Sequence, residues 1–154
     1  MSKVITLDYE YEHDYILIGI NSTLEDYRLA YLLNKDLRIN LEREPKDLDF
    51  SNKNCTFTLY NYYCEKTYSS WSLLTNRHIF VSNTLEENNL FREESKISYL
   101  INEKKELDYF LKIIGDFDDN SLKELSEKIN KIKGVITSYP VNPLTLKSKD
   151  FLIF

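Results

Sequence analysis

Two short segments with the same order of residues limit the folds open to this chain. Residues 14–20 read DYILIGI and residues 108–114 read DYFLKII, so aspartate, tyrosine and leucine recur in the same places. Short apolar runs of this kind, rich in β-branched and aromatic residues, are typical of buried strands. A Ser-x-x-Glu sequence follows each run, at Ser22–Glu25 and Ser121–Glu124. This pattern predicts a capping box, in which the serine accepts a backbone N–H and the glutamate reaches back.

The two predicted helices differ in how they distribute apolar residues. From Thr23 to Leu33, leucine and tyrosine occupy nearly every side, which predicts a helix that is mostly covered. In the second helix, leucine and isoleucine at 122, 125, 129 and 132 form one stripe, and Gly134 is predicted at the C′ position. LRINLER (37–43) and VITSYPV (135–141) are predicted as the strands that return from the two helices.

The middle of the chain is predicted to be an antiparallel meander. Four β-prone stretches, separated by turns, cover residues 55–63, 68–74, 78–82 and 96–101. Residues 44–54, EPKDLDFSNKN, are predicted to form a polar loop. The expected fold is therefore α+β in a single domain of residues 1–154: an antiparallel-rich mixed sheet with two main helices, and two β-α-β units flanking a β-meander.

Composition argues against several functional classes. Twenty-five acidic and twenty basic side chains give a net charge of −5, which disfavours nucleic-acid binding. Only three glycines are present, and no two are close in sequence, so phosphate-binding and dinucleotide-binding loops are not expected. Cys55 and Cys64 match no metal spacing, which predicts reduced thiols, no metal and no cofactor. Without a secretory signal or a long apolar segment, we expect a cytoplasmic protein that is not in a membrane.

Residues 101–109, INEKKELDY, hold the acidic groups that are best placed for chemistry. Glu103, Asp108 and Tyr109 could perform acid/base catalysis or contact a ligand. The structural alternative is a polar connection before a strand, with Asp108 accepting turn amides. In that strand, alternation places Tyr109, Leu111 and Ile113 on one face and Phe110, Lys112 and Ile114 on the other. We expect the structural role and assign no catalytic residue.

At these positions the chain resembles the IPExxxVDY family of Bacteroidota proteins. Ile101, Glu103, Asp108 and Tyr109 match the motif I-P-E-x-x-x-V-D-Y, whereas Asn102 replaces the proline and Leu107 the valine. The resemblance extends to STLEDYRLAYLLN (22–34) and to the ending LIF (152–154). The family has no established activity, so the resemblance carries over no cofactor or catalytic residue to these positions.

Two further clusters could form binding sites. Residues 8–15, DYEYEHDY, could bind a divalent cation, but alternation in a strand would separate His13 from the carboxylates, so a solvated edge is expected. Aromatic residues on adjacent strands could instead stack unpaired bases, bind a protein partner or fill a core. This candidate binding surface consists of Tyr60, Tyr62, Tyr63, Tyr68 and Trp71.

We expect a non-enzymatic protein-interaction or adaptor module that binds a protein partner or forms a homodimer. One alternative is a small-ligand-binding regulatory domain, because the last strand–helix–strand unit has the rhythm of ACT-like ferredoxin folds. Single-stranded RNA binding through the sheet aromatics is another, and an enzyme using Glu103, Asp108 or His13 is a third. The apolar segment 151–154 is expected to form a last strand antiparallel to VITSYPV, rather than to dock onto another molecule.

Overall fold

A computed structural model describes residues 13–50, 55–85 and 91–154, and within these ranges the α+β prediction is confirmed. The strands are β1 (Ile16–Ser22), β2 (Glu42–Arg43), β3 (Leu48–Phe50), β4 (Cys55–Phe57), β5 (Leu59–Cys64), β6 (Ser69–Thr75), β7 (Arg77–Leu85), β8 (Phe91–Tyr99), β9 (Tyr109–Ile114) and β10 (Val135–Pro140). The α-helices are α1 (Asp26–Leu37) and α2 (Asp119–Asn130).

Six strands form the main sheet, in the order β10-β1-β9-β6-β5-β2, and every pairing in it is antiparallel. Strands β1, β6, β9 and β10, with α1 after β1 and α2 after β9, give the β-α-β-β-α-β succession of ferredoxin-like folds. Strand β1 lies between β9 and β10, so the second β-α-β unit is split. Only two residues of the strand predicted to return from α1 form a strand, β2, at the far edge of the sheet. Strand β6 lies in the middle of the sheet instead, where it pairs with β9.

Apolar side chains cover both faces of this sheet, as alternation along the strands requires. Tyr109, Leu111 and Ile113 pack with the two helices on one face, as predicted. Phe110 packs on the other face, where Leu107 and the segment after β10 cover the sheet. On that face, a methyl group at Gly19 would collide with the Leu107 side chain, so the glycine permits this close approach. The sheet is therefore a middle layer with a core on each side.

Neither predicted capping box forms. Helix α1 begins at Asp26, and the side chain of its N-cap residue, Glu25, makes no capping hydrogen bond. Ser22 ends β1 instead, and its hydroxyl donates to the Gly134 carbonyl at 2.7 Å. At α2 the N-cap is Asp118, whose carboxylate accepts the Ser121 N–H at 2.7 Å. Gly134 lies beyond the end of α2 rather than at C′. A tertiary contact of Ser22 prevents the first predicted capping box, and Asp118 replaces Ser121 as the cap of the second helix.

The expectation that α1 is mostly covered is also wrong. Leu29, Ala30 and Leu33 are buried. Tyr27 and Tyr31, on the other side of the helix, are 63% and 65% exposed. The helix therefore has one buried and one solvent-facing side, because only one sheet face lies against it.

The middle strands are antiparallel, as predicted, but they are divided among three sheets. Strands β5 and β6 form a hairpin within the main sheet. Strands β7 and β8 pair with each other over nine residue pairs and form a separate two-stranded sheet, which we call the ribbon. The predicted loop 44–54 contains β3, which pairs with β4; residues 51–54 lie outside the described residues.

The predicted C-terminal strand is absent from the described segment 141–154. Residues Lys149–Leu152 form a 3-10 helix, and the Leu152 side chain is fully buried under the second sheet face. Val141 is still bonded to β1, because its N–H donates to the Leu17 carbonyl at 2.8 Å. The segment leaves the sheet after this residue. Its apolar side chains are thus buried without forming a strand. No helix among the described residues is long and apolar enough to cross a membrane.

Candidate functional site

Residues 101–109, the motif segment, are held in place by the buried side chain of Asn76. The Asn76 amide nitrogen donates to the Lys104 carbonyl at 2.9 Å and to the Leu107 carbonyl at 2.8 Å. Its amide oxygen accepts the Ile101 N–H at 2.7 Å. One fully buried side chain therefore satisfies three backbone groups in the part of this segment that precedes β9.

The end of the motif segment is tied to the connection between β1 and α1. The Asp108 carboxylate accepts the Ser22 N–H at 2.9 Å and lies 3.9 Å from the Arg77 guanidinium. The Tyr109 hydroxyl donates to the Leu24 carbonyl at 2.5 Å. Asp108 thus accepts a backbone amide, as expected, but the amide comes from a distant strand and not from its own turn.

Glu103 links the motif segment to the C-terminal segment. Its carboxylate accepts the Ser148 N–H at 2.7 Å and the Ser148 hydroxyl at 2.9 Å. Burial raises the pKa of Glu103, but the hydrogen bonds from Ser148 outweigh it and leave the pKa lowered. Ile101 is fully buried. All four residues that carry the family resemblance therefore make contacts within the fold.

Asp108 and Tyr109 also line a polar cavity of about 330 Å³, which we call the motif cavity. It lies between the start of α1, the first residues of β7 and the motif segment. Two of its lining residues, Asp26 and Asp47, pair with Arg43, the former at 3.6 Å. Burial, and then Asp26, raise the pKa of Tyr60 to about 12, and burial raises the pKa of Tyr109. Both phenols are protonated near neutral pH and act as donors rather than as bases.

The structure does not gather the five predicted aromatic residues into one surface. Tyr60 and Trp71 are buried beneath the helices, and the Tyr60 hydroxyl donates to Asp26 at 3.2 Å. Tyr62 is partly buried on the same side. Tyr63, in contrast, is 56% exposed, and Tyr68 is 80% exposed in the turn before β6. Core packing accounts for most of the cluster, and only Tyr63 and Tyr68 are largely open to solvent.

Tyr62 and Trp71 do line a second cavity, of about 380 Å³, between the end of α1, the β5–β6 hairpin and α2. We call it the helix cavity. Cys64 is at its rim, where hydrogen bonds from Thr67, and then from Tyr62, lower the pKa of the thiol to about 7. A substantial fraction of this thiol is therefore ionised near neutral pH.

Lys112 is buried in the middle of β9, on the face away from the helices. Its ammonium group donates to the Leu152 carbonyl at 2.5 Å and lies 4.7 Å from the ring centre of Tyr15 and 4.5 Å from that of Phe154. Among the described residues it forms no ion pair. Burial consequently lowers its pKa. The lysine fixes the C-terminal segment against the sheet through a carbonyl group and two aromatic rings.

The predicted solvated edge at residues 8–15 does not hold for His13. His13 is only 3% exposed, and its Nδ1 atom lies 3.0 Å from the Tyr15 hydroxyl. Residues 8–12, including Glu10 and Glu12, lie outside the described residues. Within the described ranges, no group of three or more His, Cys, Asp or Glu side chains could hold a metal ion.

Sequence reasoning missed Asn76 and the cavity-lining role of Arg77. Asn76 stands between two β-prone stretches, where a polar residue reads as part of a turn. Its three partners lie 25 to 31 residues further along the chain, so no local pattern reveals them. Comparison of the chain with protein-family models, curated proteins and solved structures gave no match.

Proposed function

We propose that this chain is a non-enzymatic protein-interaction module and that the ribbon is its binding element. The observation that carries the proposal is the pairing of the ribbon strands. Strands β7 and β8 are each nine residues long and, within the described residues, pair only with each other. Each therefore has a second edge that pairs with no strand among the described residues. Another strand can add there through backbone hydrogen bonds, except at Tyr99, which already has an interaction partner.

The edges of the main sheet are less suited to strand addition. At β10, the Asn130 side chain accepts the Ser138 N–H at 2.7 Å and donates to the Ser138 carbonyl at 3.3 Å. These are the backbone groups that a further strand would use. Pro140, at the end of β10, has no N–H to offer. The opposite edge is β2, which has two residues. Among the described strands, those of the ribbon are therefore the longest that have an edge without a paired strand.

The ribbon also exposes apolar surface. Ile79 and Ile97 are paired in register across its two strands and are 55% and 52% exposed. An isolated two-stranded sheet is only marginally stable in water, because it buries little apolar area. Its base is anchored, since the Leu100 N–H donates to the Asn76 carbonyl at 2.8 Å. A partner protein whose surface covers the isoleucine pair would stabilise the part of the ribbon beyond this base.

The partner is another protein or a second copy of this chain. The net charge of −5 disfavours an extended nucleic-acid ligand, whose phosphates would be repelled. Apolar side chains on the partner would contact the isoleucine pair, and an open strand would pair with β7 or β8.

The proposal is tested with the double variant Ile79→Lys, Ile97→Lys. Its control is Ile136→Lys, which makes the same kind of substitution at one 63% exposed isoleucine of β10, outside the ribbon. Sedimentation velocity over a concentration series measures self-association, and affinity purification from the native host with quantitative mass spectrometry measures partner retention. We expect the double variant to lose an association that the wild-type protein and the control retain. Indistinguishable behaviour of the wild-type protein and the double variant in both assays would refute the proposal.

A further inference from the structure

The helix cavity combines aromatic walls with charged side chains that form no ion pair within the described residues. It opens between the end of α1 and α2, from which residues of both the first and the last turn line it. A volume of about 380 Å³ lies at the lower end of the range of small-ligand pockets, which fits a molecule the size of an amino acid. It is separate from the ribbon, so a ligand here is independent of the proposed protein interaction.

The walls of this cavity favour an aromatic group. Trp71 and Phe117 meet edge to face, with ring centres 5.9 Å apart and ring planes at 86°. Leu125 and Tyr62 add further apolar surface. The polar atom of Trp71 is already used, because its Nε1 group donates to the Ser69 hydroxyl at 3.1 Å. The tryptophan therefore offers the cavity mainly ring surface, which packs well against another ring.

The rim of the cavity carries charges of both signs. Arg38 and Lys128 are cations, and Asp116 and Glu124 are carboxylates. All four residues are exposed, and within the described part of the chain none of them forms an ion pair with another side chain. A ligand with one positive and one negative group can pair with both kinds of side chain, whereas a ligand with one charge would leave one kind without a partner.

We propose that the helix cavity binds a small zwitterion with an aromatic side chain, of the class of the free aromatic α-amino acids. The ring packs against Trp71 and Phe117. The carboxylate of the ligand pairs with Arg38, and its ammonium group pairs with Asp116 or Glu124. Charge complementarity selects the zwitterion, and the aromatic walls select its side chain.

Trp71 is the only tryptophan in the chain, so its fluorescence reports on this cavity. The full chain is titrated with L-phenylalanine under excitation selective for tryptophan, and isothermal titration calorimetry measures binding independently. L-Alanine lacks the ring, and N-acetyl-L-phenylalaninamide has the ring but neither charge. We expect saturable binding of L-phenylalanine and binding at least about tenfold weaker for each analogue. L-Alanine buries no ring, and the blocked analogue makes no hydrogen bonds between charged groups.

One variant and its control test the contact between the ligand carboxylate and Arg38. Arg38 has a φ of 56°, and asparagine tolerates this left-handed conformation, so Arg38→Asn removes the charge while preserving the helix end. Lys35→Gln removes a charge from an exposed position of α1 that does not line the cavity and is the matched control. We expect Arg38→Asn to weaken L-phenylalanine binding by about tenfold and the control to leave it unchanged.

Three results would overturn this proposal. One is the absence of both a fluorescence change and a calorimetric signal at millimolar L-phenylalanine. The second is equal binding of the blocked analogue, which would indicate an apolar site for a peptide segment. The third is unchanged affinity in Arg38→Asn. None of these results bears on the ribbon, whose variants test the interaction separately.

Discussion

Asn76→Ala is expected to lower the free energy of unfolding by several times the contribution of a single hydrogen bond. The substitution removes three hydrogen bonds, of 2.7, 2.8 and 2.9 Å. It leaves the Ile101 N–H and the Leu107 carbonyl without their partner, whereas the Lys104 carbonyl still accepts the Leu107 N–H at 3.1 Å. A hydrogen bond contributes about 1 kcal/mol net, and a buried group left unsatisfied costs about 1 to 3 kcal/mol, so we expect a loss of about 3 to 5 kcal/mol. That is a large share of the roughly 5 to 15 kcal/mol typical of a folded domain.

Urea unfolding followed by circular dichroism and by Trp71 fluorescence measures this loss. Asn102→Ala is the matched control, because Asn102 lies in the same segment and is exposed. The control should change the free energy of unfolding by less than about 0.5 kcal/mol, as is usual for surface positions. Hydrogen exchange should also show faster exchange of the Ile101 amide in Asn76→Ala, since that amide loses its acceptor.

Asn76→Asp separates the donor and acceptor roles of the side chain. It keeps an acceptor for Ile101 but directs a carboxylate at the Lys104 and Leu107 carbonyls. The pKa of the new carboxyl group should therefore be raised, and the variant should gain stability relative to wild type as pH falls through that pKa. A loss below about 1 kcal/mol for Asn76→Ala would refute the assigned role of Asn76 in holding the motif segment.

Three other substitutions test contacts around this segment. Asp108→Ala should lower the free energy of unfolding by about 1 to 2 kcal/mol, whereas Asp108→Asn keeps an acceptor for Ser22 and should lose less; urea melts that rank them in reverse would exclude the backbone-anchor role. Burial lowers the pKa of Lys112 below 10.5, so the unfolded chain binds more protons between the two values. Thermal melts should therefore show the wild-type protein gaining stability over Lys112→Met as pH rises toward 10.5, and a constant difference would contradict this. Leu152→Ala should cost about 2 to 5 kcal/mol, whereas Ile153→Ala, at a 42% exposed neighbour, should have little effect in the same melts.

Local sequence patterns predicted many of the regular elements correctly. Apolar runs located β1 and β9, and alternation assigned Tyr109 and Phe110 to opposite faces of the sheet. These predictions succeed because the period of a strand or a helix is a property of a few adjacent residues. The predicted helix starts were wrong because local patterns do not include contacts with distant residues. The Ser22 hydroxyl does accept the Leu24 N–H at 3.1 Å, but it also donates to the Gly134 carbonyl across the fold, and the helix begins only at Asp26.

The candidate sites were less accessible to such reasoning. Tyr62 and Trp71 were selected for their aromatic character, but only the approach of α2 places them in a cavity with Lys128. Asn76 was not selected at all, because its partners are distant in sequence. The sequence likewise did not predict that the ribbon is separate from the main sheet. In the structure β6 pairs with β9, and not with the next strand in the chain, β7.

The sequence by itself determined the α+β composition, the positions of the principal strands and helices, and which side chains of β9 face each core. The tertiary structure alone decided which strands are neighbours, which edge Asn130 covers and which charged groups meet at the helix cavity. The physical reason is the range of the interactions. Periodicity and turn chemistry act over a few residues, whereas strand order and buried polar contacts depend on how distant segments pack together.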